Sequence, residues 1–458
     1  MVSRSGASET SNQHKHIMSE NLIFTGKSPL TRRHFLKTTS GVVGGALIAN
    51  LAAEKSAHAA GNDQLKVALI GCGGRGSGAA NQALSTNANL KLIAMGDAFR
   101  DRLDSSLDNL KAQHKDKVDV SEDHKFVGMD AYKQAIALAD VVILATPPGF
   151  RPFHFEEAVK QGKHVFMEKP VAVDGPGVRR VLAAAEEAKK KNLKVGVGLQ
   201  RHHQPGYIET IKRLHGGEIG DIVAMRCYWN DGGVWVRPRQ AGQTEMEYQM
   251  RNWYYFAWLS GDHICEQHIH NLDVINWVKD SYPVRCHGMG GRQVRTGKEY
   301  GEIYDHHAVE YEYADGSRLA SQCRHIRGCW SSVSEAVVGT KGSCDVNSHI
   351  IRGPKGENVW RFRREGPHDP YQQEHDDLFA AIRNDTPYNE AFNGAKSSLT
   401  SVMGRMATYS GQVVEWEKAL NSEINLAPDK FTWDAMPKSL PDKDGWYRIP
   451  TPGVSQAV

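Results

Sequence analysis

The chain is poor in the features that would make it a disulfide scaffold, a membrane protein or a nucleic-acid binder. It has seven cysteines in 458 residues, and none forms a CxxC pair. That excludes a dense disulfide framework and a Cys-rich zinc module. There is no HExxH either. Charge of one sign is scarce. Lys plus Arg is 56 and Asp plus Glu is 53, for a net +3. Residues 1–59 carry seven of the basic and three of the acidic side chains, so the rest sits near neutrality. Nothing in that balance draws a nucleic acid or an anionic membrane surface. The composition, 40% hydrophobic and 24% charged, is too apolar for a disordered chain and suits two or three globular domains.

What is present begins with an address. Thr31-Arg32-Arg33-His34-Phe35-Leu36-Lys37 precedes a Gly/Ala-rich stretch from Gly41 to Ala53. Ala57-His58-Ala59 follows as a small-x-small cleavage pattern. The order resembles a twin-arginine export signal. Gly41, Gly44 and Gly45 speak against an ordinary amphipathic helix. The apolar stretch is shorter than the roughly 20 residues of a membrane span. The expectation is a removable signal over 1–59, a periplasmic or otherwise exported mature protein, and no stable span after cleavage. The twin-arginine route carries folded proteins, which suits a cofactor acquired inside the cell.

From Leu65 short apolar strands alternate with helical stretches. The strands are Leu65–Ile70, Leu90–Met95, Val141–Thr146, His164–Met167 and Leu193–Leu199. Helices are expected over Arg75–Leu84, Ala98–Gln113, Pro152–Gln161 and Gly175–Lys191, the last capped by Asp174. This predicts a parallel sheet with crossover helices over 60–199. Beyond Gln200 the period becomes two. Ala308–Tyr313 and Arg318–His325 flank a turn, and Val333–Gly339 and Ser343–Val346 flank another. A second α/β domain with an open, mostly antiparallel sheet is expected over 200–425. It includes helices over Tyr371–Arg383 and Ala395–Leu420. Residues 426–458 read as an extended tail.

Val67-Ala68-Leu69-Ile70 runs into Gly71-Cys72-Gly73-Gly74-Arg75-Gly76, a GxGxxG placed between a strand and a helix. Gly71 allows the turn, Gly73 lets backbone approach a pyrophosphate, and Gly76 lets helix pack on strand. Asp97 ends the second strand 21 residues later, placed to accept from an adenosine ribose hydroxyl. It would repel a 2′-phosphate, so NAD is expected over NADP. Arg100 nearby keeps NADP in view.

Asp140-Val141-Val142-Ile143-Leu144-Ala145-Thr146-Pro147-Pro148 is followed by His154, Ala158 and Gly162-Lys163-His164-Val165-Phe166-Met167-Glu168-Lys169-Pro170. Gln200-Arg201, Glu218-Ile219-Gly220 and Phe379-Ala380-Ala381-Ile382-Arg383 come later. This set resembles the Gfo/Idh/MocA oxidoreductases, named for glucose–fructose oxidoreductase and inositol dehydrogenase. The Glu-Lys-Pro triplet is the most specific mark. The resemblance implies a Rossmann domain followed by an α/β domain. It implies that Lys169 sits beside the nicotinamide and that His270 is the acid/base histidine. It puts Glu266 where an Asp is usual, with His270 and Asp273 matching a His-x-x-Asp. Thr146, Pro147, His154, Glu168 and Gln200 are then expected at the cofactor, beside Gly71, Gly73, Gly74, Arg75, Gly76 and Asp97. Lys169, Arg201, Trp253, His270 and Asp273 are expected at the substrate. The family often pairs through its open sheet, so a homodimer or tetramer is expected.

The chemistry calls for these groups. Oxidising a secondary alcohol moves a proton off oxygen while hydride leaves carbon. A neutral imidazole takes the proton and an ammonium steadies the developing alkoxide. A nearby carboxylate, Glu266, can orient the ring. The expected reaction is NAD-dependent oxidation of a sugar, polyol or related carbohydrate hydroxyl. The same fold supports glycoside hydrolysis by transient oxidation and elimination, and a cofactor-bearing binding protein is a third reading. No metal is assigned. The dense run His263, Cys265, Glu266, His268, His270 leaves a zinc site as the alternative. Asp305-His306-His307 could join either site.

Overall fold

The structure, a computed structural model, describes residues 63–364 and 366–456. The twin-arginine segment and its cleavage pattern lie outside the described residues. Six strands form the first sheet: β1 (Leu65–Ile70), β2 (Leu90–Asp97), β3 (Lys125–Val127), β4 (Val141–Leu144), β5 (His164–Met167) and β6 (Val195–Val197). All are parallel, in the order β3-β2-β1-β4-β5-β6. Helices cover both faces, so β4 is buried at every residue and shows no alternation. The helix Gly74–Ser85 buries Gly76, Ala79, Ala80, Ala83 and Leu84, the helical i, i+3, i+4, i+7, i+8 stripe. Strand order reverses beside β1, and open sheets of this kind bind ligands at the strand C-termini there.

Nine strands form the second sheet: β7 (Ile222–Asp231), β8 (Arg285–Gly291), β9 (His306–Glu312), β10 (Arg318–His325), β11 (Ser332–Gly339), β12 (Gly342–Asp345), β13 (Ile350–Arg352), β14 (Asn358–Arg361) and β15 (Val414–Glu415). Their order is β14-β13-β12-β11-β7-β10-β9-β8-β15. All pairs are antiparallel except β7 with β10. Leu319, Ser321, Cys323 and His325 of β10 point inward, while Arg318, Ala320 and Gln322 are exposed. The inner face packs against the helices Ile269–Lys279 and Ala391–Ser410.

Two elements of the Rossmann unit, the three-residue β3 and the helix Ala131–Leu138, lie outside the expected pattern. Of the expected strands, β2 runs on to Asp97, β4 stops at Leu144 and β6 covers only Val195–Val197. In the second unit, the long helix expected over Ala395–Leu420 stops at Ser410. Gly411, at φ +71, closes it in the left-handed conformation. The chain returns as β15 before the short helix Trp416–Leu420. The cap at Asp174 is present: its Oδ1 accepts from Gly177 N at 2.8 Å. The tail runs back over the Rossmann unit. Phe431 meets Phe153 edge-on at 4.9 Å between centroids, and Trp433 meets Phe99 at 5.4 Å. Among the described residues no helix is long and apolar enough to cross a membrane.

Candidate active site

A cavity of about 710 Å³ opens at the C-terminal ends of the parallel strands and is walled on its far side by residues 229–270. Its floor is the glycine loop. Gly71 sits at φ +91, and a Cβ there would lie 2.5 Å from Thr146 N. A Cβ on Gly76 would lie 1.9 Å from the Gly71 carbonyl oxygen. Gly73 and Gly74 have open space where a Cβ would go. Gly73 caps the following helix without any side-chain bond. The first-turn N–H groups and the positive end of the helix dipole are therefore available to an anion. A bare backbone cradle of this kind fits a pyrophosphate.

Asp97 stands at the rim of this cradle. Its Oδ2 accepts from Cys72 N at 2.6 Å and its Oδ1 from Phe99 N at 2.8 Å. It thus braces the loop as well as facing the cavity. Burial raises its pKa against the pull of those two N–H groups. Arg100 turns away to Asp104 and Glu122, at 2.8 and 3.0 Å. Arg102, not Arg100, is the arginine that lines the cavity here. Asp97→Ala is expected to narrow any preference for NAD over NADP, because it removes a ribose acceptor and a repulsive charge. Dissociation constants for both nucleotides check this. Wild-type protein that binds NADP as tightly as NAD would contradict the role given to Asp97.

Thr146, Pro147, His154, Glu168 and Lys169 all line the cavity. His154 stacks on Tyr132 at 4.1 Å and lies 3.2 Å from Thr146 Oγ1 through Nδ1. Burial, then the Arg151 charge, pushes it down to about 3, so it is neutral. Arg151 donates to the carbonyls of Thr146 and Glu168, at 2.6 and 2.9 Å, tying the ends of β4 and β5 together. Arg75 joins the carboxylates of Glu168 and Glu374 beneath the Tyr371 ring. Gln200 is one step back from the wall; it donates to Tyr371 OH at 3.2 Å.

The opposite wall comes from a sharp turn. Asp262 adopts φ 70 and ψ 165, a region that costs a non-glycine residue of order 1–3 kcal/mol. Its carboxylate holds the turn. Oδ1 accepts from His263 Nδ1 at 2.8 Å, and Oδ2 accepts from Tyr304 N, His307 Nε2 and Tyr409 OH at 2.9, 3.2 and 2.7 Å. The turn launches the helices His263–Glu266 and Ile269–Lys279 and sets Glu266, Gln267 and His270 in the wall. Lys169 Nζ donates to the Glu266 backbone carbonyl and, at 3.1 Å, to its Oε1. Burial raises the Glu266 pKa against the Lys169 charge. His270 is buried, stacks on Trp229 at 5.9 Å, and leaves Nδ1 without a hydrogen-bond partner. Burial, then the charges of Lys169, Arg201 and Arg75, holds its pKa well below the usual 6.5. It is a neutral imidazole at neutral pH.

Several expected contacts lie elsewhere. Glu266 does not orient His270; its side chain is bound to Lys169. Asp273, one helical turn beyond His270, faces away from the cavity. It accepts from His202 Nε2, Asn393 Nδ2 and Ser397 Oγ at 2.8, 2.9 and 2.8 Å. Arg201 is paired with the buried Glu335 and is not among the residues lining the cavity. Trp253 does line the cavity, beside Trp235 at 5.9 Å. The residues of the zinc alternative scatter. His268 turns to Ser321 Oγ at 2.7 Å and Cys227 Sγ at 3.6 Å, while Glu266 and His270 face the cavity. Donor atoms of Asp262, His263 and His307 lie within 4.8 Å of one another, but they are bonded among themselves. Met250, Arg251, Arg102 and Tyr371 are among the further lining residues that the sequence does not mark. They come from parts of the chain that carry no motif.

Residues 65–198 match the family model described as an oxidoreductase family with an NAD-binding Rossmann fold. Residues 207–345 match the Gfo/Idh/MocA C-terminal domain. The chain belongs to the Gfo/Idh/MocA oxidoreductase family. Inositol 2-dehydrogenase of Serratia proteamaculans is 26% identical over 255 residues, 56% of this chain and 66% of that protein. The NAD+ scyllo-inositol 2-dehydrogenase of Bacillus subtilis is 24% identical over 289 residues, 62% of this chain and 74% of that protein. The chain thus spans about two thirds of the first relative's length. The aldose-aldose oxidoreductase of Caulobacter crescentus, solved with glycerol, shares the fold with a TM-score of 0.61. It is 20% identical, with 77% of this chain and 99% of that one covered. The matched Rossmann model is NAD-binding, and the bare glycine cradle within it has the chemistry for the pyrophosphate.

Proposed function

We propose that the protein is an exported, NAD-dependent oxidoreductase acting on a ring hydroxyl of a polyol or sugar. One observation carries the reading: Lys169 and a neutral His270 face the same cavity as the bare glycine cradle. The inositol dehydrogenases among the relatives support the substrate class.

Gly73 and Gly74 and the helix N-terminus would hold the pyrophosphate, and Asp97 would hold the adenosine ribose. A nicotinamide held there would supply the hydride acceptor for oxidation or the donor for reduction. Lys169 donates to the reacting oxygen and steadies its developing negative charge. His270 takes the hydroxyl proton in oxidation and returns it in reduction. Glu266 holds the ammonium in place. Trp229 and Trp253 offer flat faces to the C–H side of a ring.

The test is direct. Purified protein is denatured to identify released nucleotide, and native protein is given myo-inositol, scyllo-inositol, glucose or a nitrophenyl glycoside while absorbance is followed at 340 nm and sugar release is measured. Stoichiometric reduced nucleotide is expected. Cleavage of glycosides with no net reduced nucleotide would replace this reading with hydrolysis by transient oxidation.

Because His270 is neutral well below the usual histidine value, the acid limb of kcat/KM for oxidation is expected below pH 6.5. Activity stays level as pH falls through 6.5 and is lost only when the imidazole protonates. An acid limb at or above pH 6.5 in the profile would count against His270 as the base.

Export rests on the amino-terminal pattern. Arg32→Lys with Arg33→Lys is expected to leave full-length protein in the cytoplasm. Fractionation that finds normal mature protein outside would remove that part of the reading. Exposed Met289, Val223 and Val338 on the second sheet support self-association through that sheet.

A further inference from the structure

Gln267 lines the cavity between Glu266 and His270. Its Oε1 lies 2.6 Å from His325 Nε2. The other ring nitrogen of His325, Nδ1, lies 2.7 Å from a terminal nitrogen of Arg295. A guanidinium has donors only. Nδ1 must therefore accept. A neutral imidazole has one ring proton, and here it is on Nε2. Burial, then the neighbouring His263 and Arg295, drives His325 far below the usual histidine range, in line with a neutral ring.

The consequence passes to the glutamine. His325 Nε2–H donates, so the Gln267 amide must turn its oxygen to the histidine. A flipped amide would set N–H against N–H. This holds whichever way round the amide is drawn, because the arginine fixes the order of donors. The lock is itself well held. Arg295 and His325 are both buried, Arg295 donates to the Tyr304 carbonyl, and His325 stacks on His263 at 4.4 Å. The Gln267 NH2 has no hydrogen-bond partner among the described residues and belongs to a side chain in the cavity wall.

We propose that Gln267 is a specificity-determining donor, held by Arg295 and His325 to present its NH2 to an oxygen of the substrate other than the one handled by Lys169 and His270. The proposal rests on the polyol reading above. It narrows the substrate to compounds with a second oxygen on the ring, and it sets simple secondary alcohols aside. A donor committed in this way rejects an analogue that leaves it unpaired.

Two variants of the whole protein, loaded with nucleotide, test this. Gln267→Leu removes the donor. Gln267→Glu keeps an oxygen for His325 but turns an acceptor toward the cavity. Both are expected to lose at least about tenfold in kcat/KM for myo-inositol or scyllo-inositol, whichever the wild type oxidises better, with nucleotide content and melting temperature retained. A merely structural glutamine would tolerate Glu, so wild-type kinetics in Gln267→Glu would overturn the proposal. Nitrogen-15 NMR of the ring gives a readout free of turnover. The expected signal for His325 is a neutral ring with its proton on Nε2. A proton on Nδ1, or a charged ring at neutral pH, would also overturn it. A wild type that oxidises no polyol sinks the polyol reading instead, and the His325 resonance still decides the amide's orientation.

Discussion

Lys169→Ala and His270→Ala are each expected to lose about 100-fold or more in turnover, at least about 2.7 kcal/mol of transition-state stabilisation, while the fold and the bound nucleotide persist. Lys169 leaves the end of β5, and His270 opens the helix Ile269–Lys279 in the second unit. The two side chains meet only across the cavity. Among the described residues neither side chain has a hydrogen bond to the glycine loop, so removing either should leave the cradle intact. Because both act on one proton transfer, the double variant should lose far less than the product of the two single losses. Single-turnover absorbance at 340 nm, with released nucleotide measured beside it, gives the numbers. Near-normal turnover in either single variant would take that residue out of the mechanism. Glu266→Gln should cost less than either. Its amide oxygen can still accept from Lys169 Nζ, and its carboxylate has no bond to the imidazole whose loss would matter.

The contrast between Glu266 and Asp273 explains what could be read from sequence. Strands β1, β5 and β10 have the bounds that their patterns predicted, because short apolar or alternating runs end at glycine, proline or polar turns. The glycine loop and Glu168-Lys169 were legible for the same reason: the chemistry is local, within six residues of chain. β3 was not, since three residues at a sheet edge make no run. Spacing alone cannot say where a helical side chain finds its partner. Asp273 lies one turn from His270, yet its three partners are His202, Asn393 and Ser397, far off in sequence. Arg201 is drawn to Glu335 in the same way. Gln267 carries no motif at all. Its role comes from Arg295 and His325, on separate stretches of the second unit.

Gly76→Ala is expected to strip the protein of its cofactor. A Cβ at Gly76 would sit 1.9 Å from the carbonyl oxygen of Gly71 and 3.3 Å from Ala145 Cβ. The first contact is with backbone, so no side chain can rotate away. Helix and loop must part, and forced shifts of this kind cost about 1–3 kcal/mol or more. The loop cannot give way cheaply. Gly71 is pinned at φ +91 against Thr146, and Cys72 N is bonded to Asp97. The displacement therefore falls on the cradle, and nucleotide affinity should drop by at least about tenfold, since 1.4 kcal/mol is a factor of ten. The melting temperature should fall as well. Gly73→Ala separates the two effects. Nothing lies within 4 Å of a Cβ there, and its backbone, at φ −73, accepts any residue. That variant should fold and melt like wild type while binding nucleotide poorly, because the new methyl occupies the approach of the pyrophosphate. Nucleotide content after purification and thermal melting with and without added NAD measure both. If Gly73→Ala retains full nucleotide, the pyrophosphate does not rest on this loop. If Gly76→Ala retains both nucleotide and melting temperature, the close helix–loop contact is not what shapes the cradle.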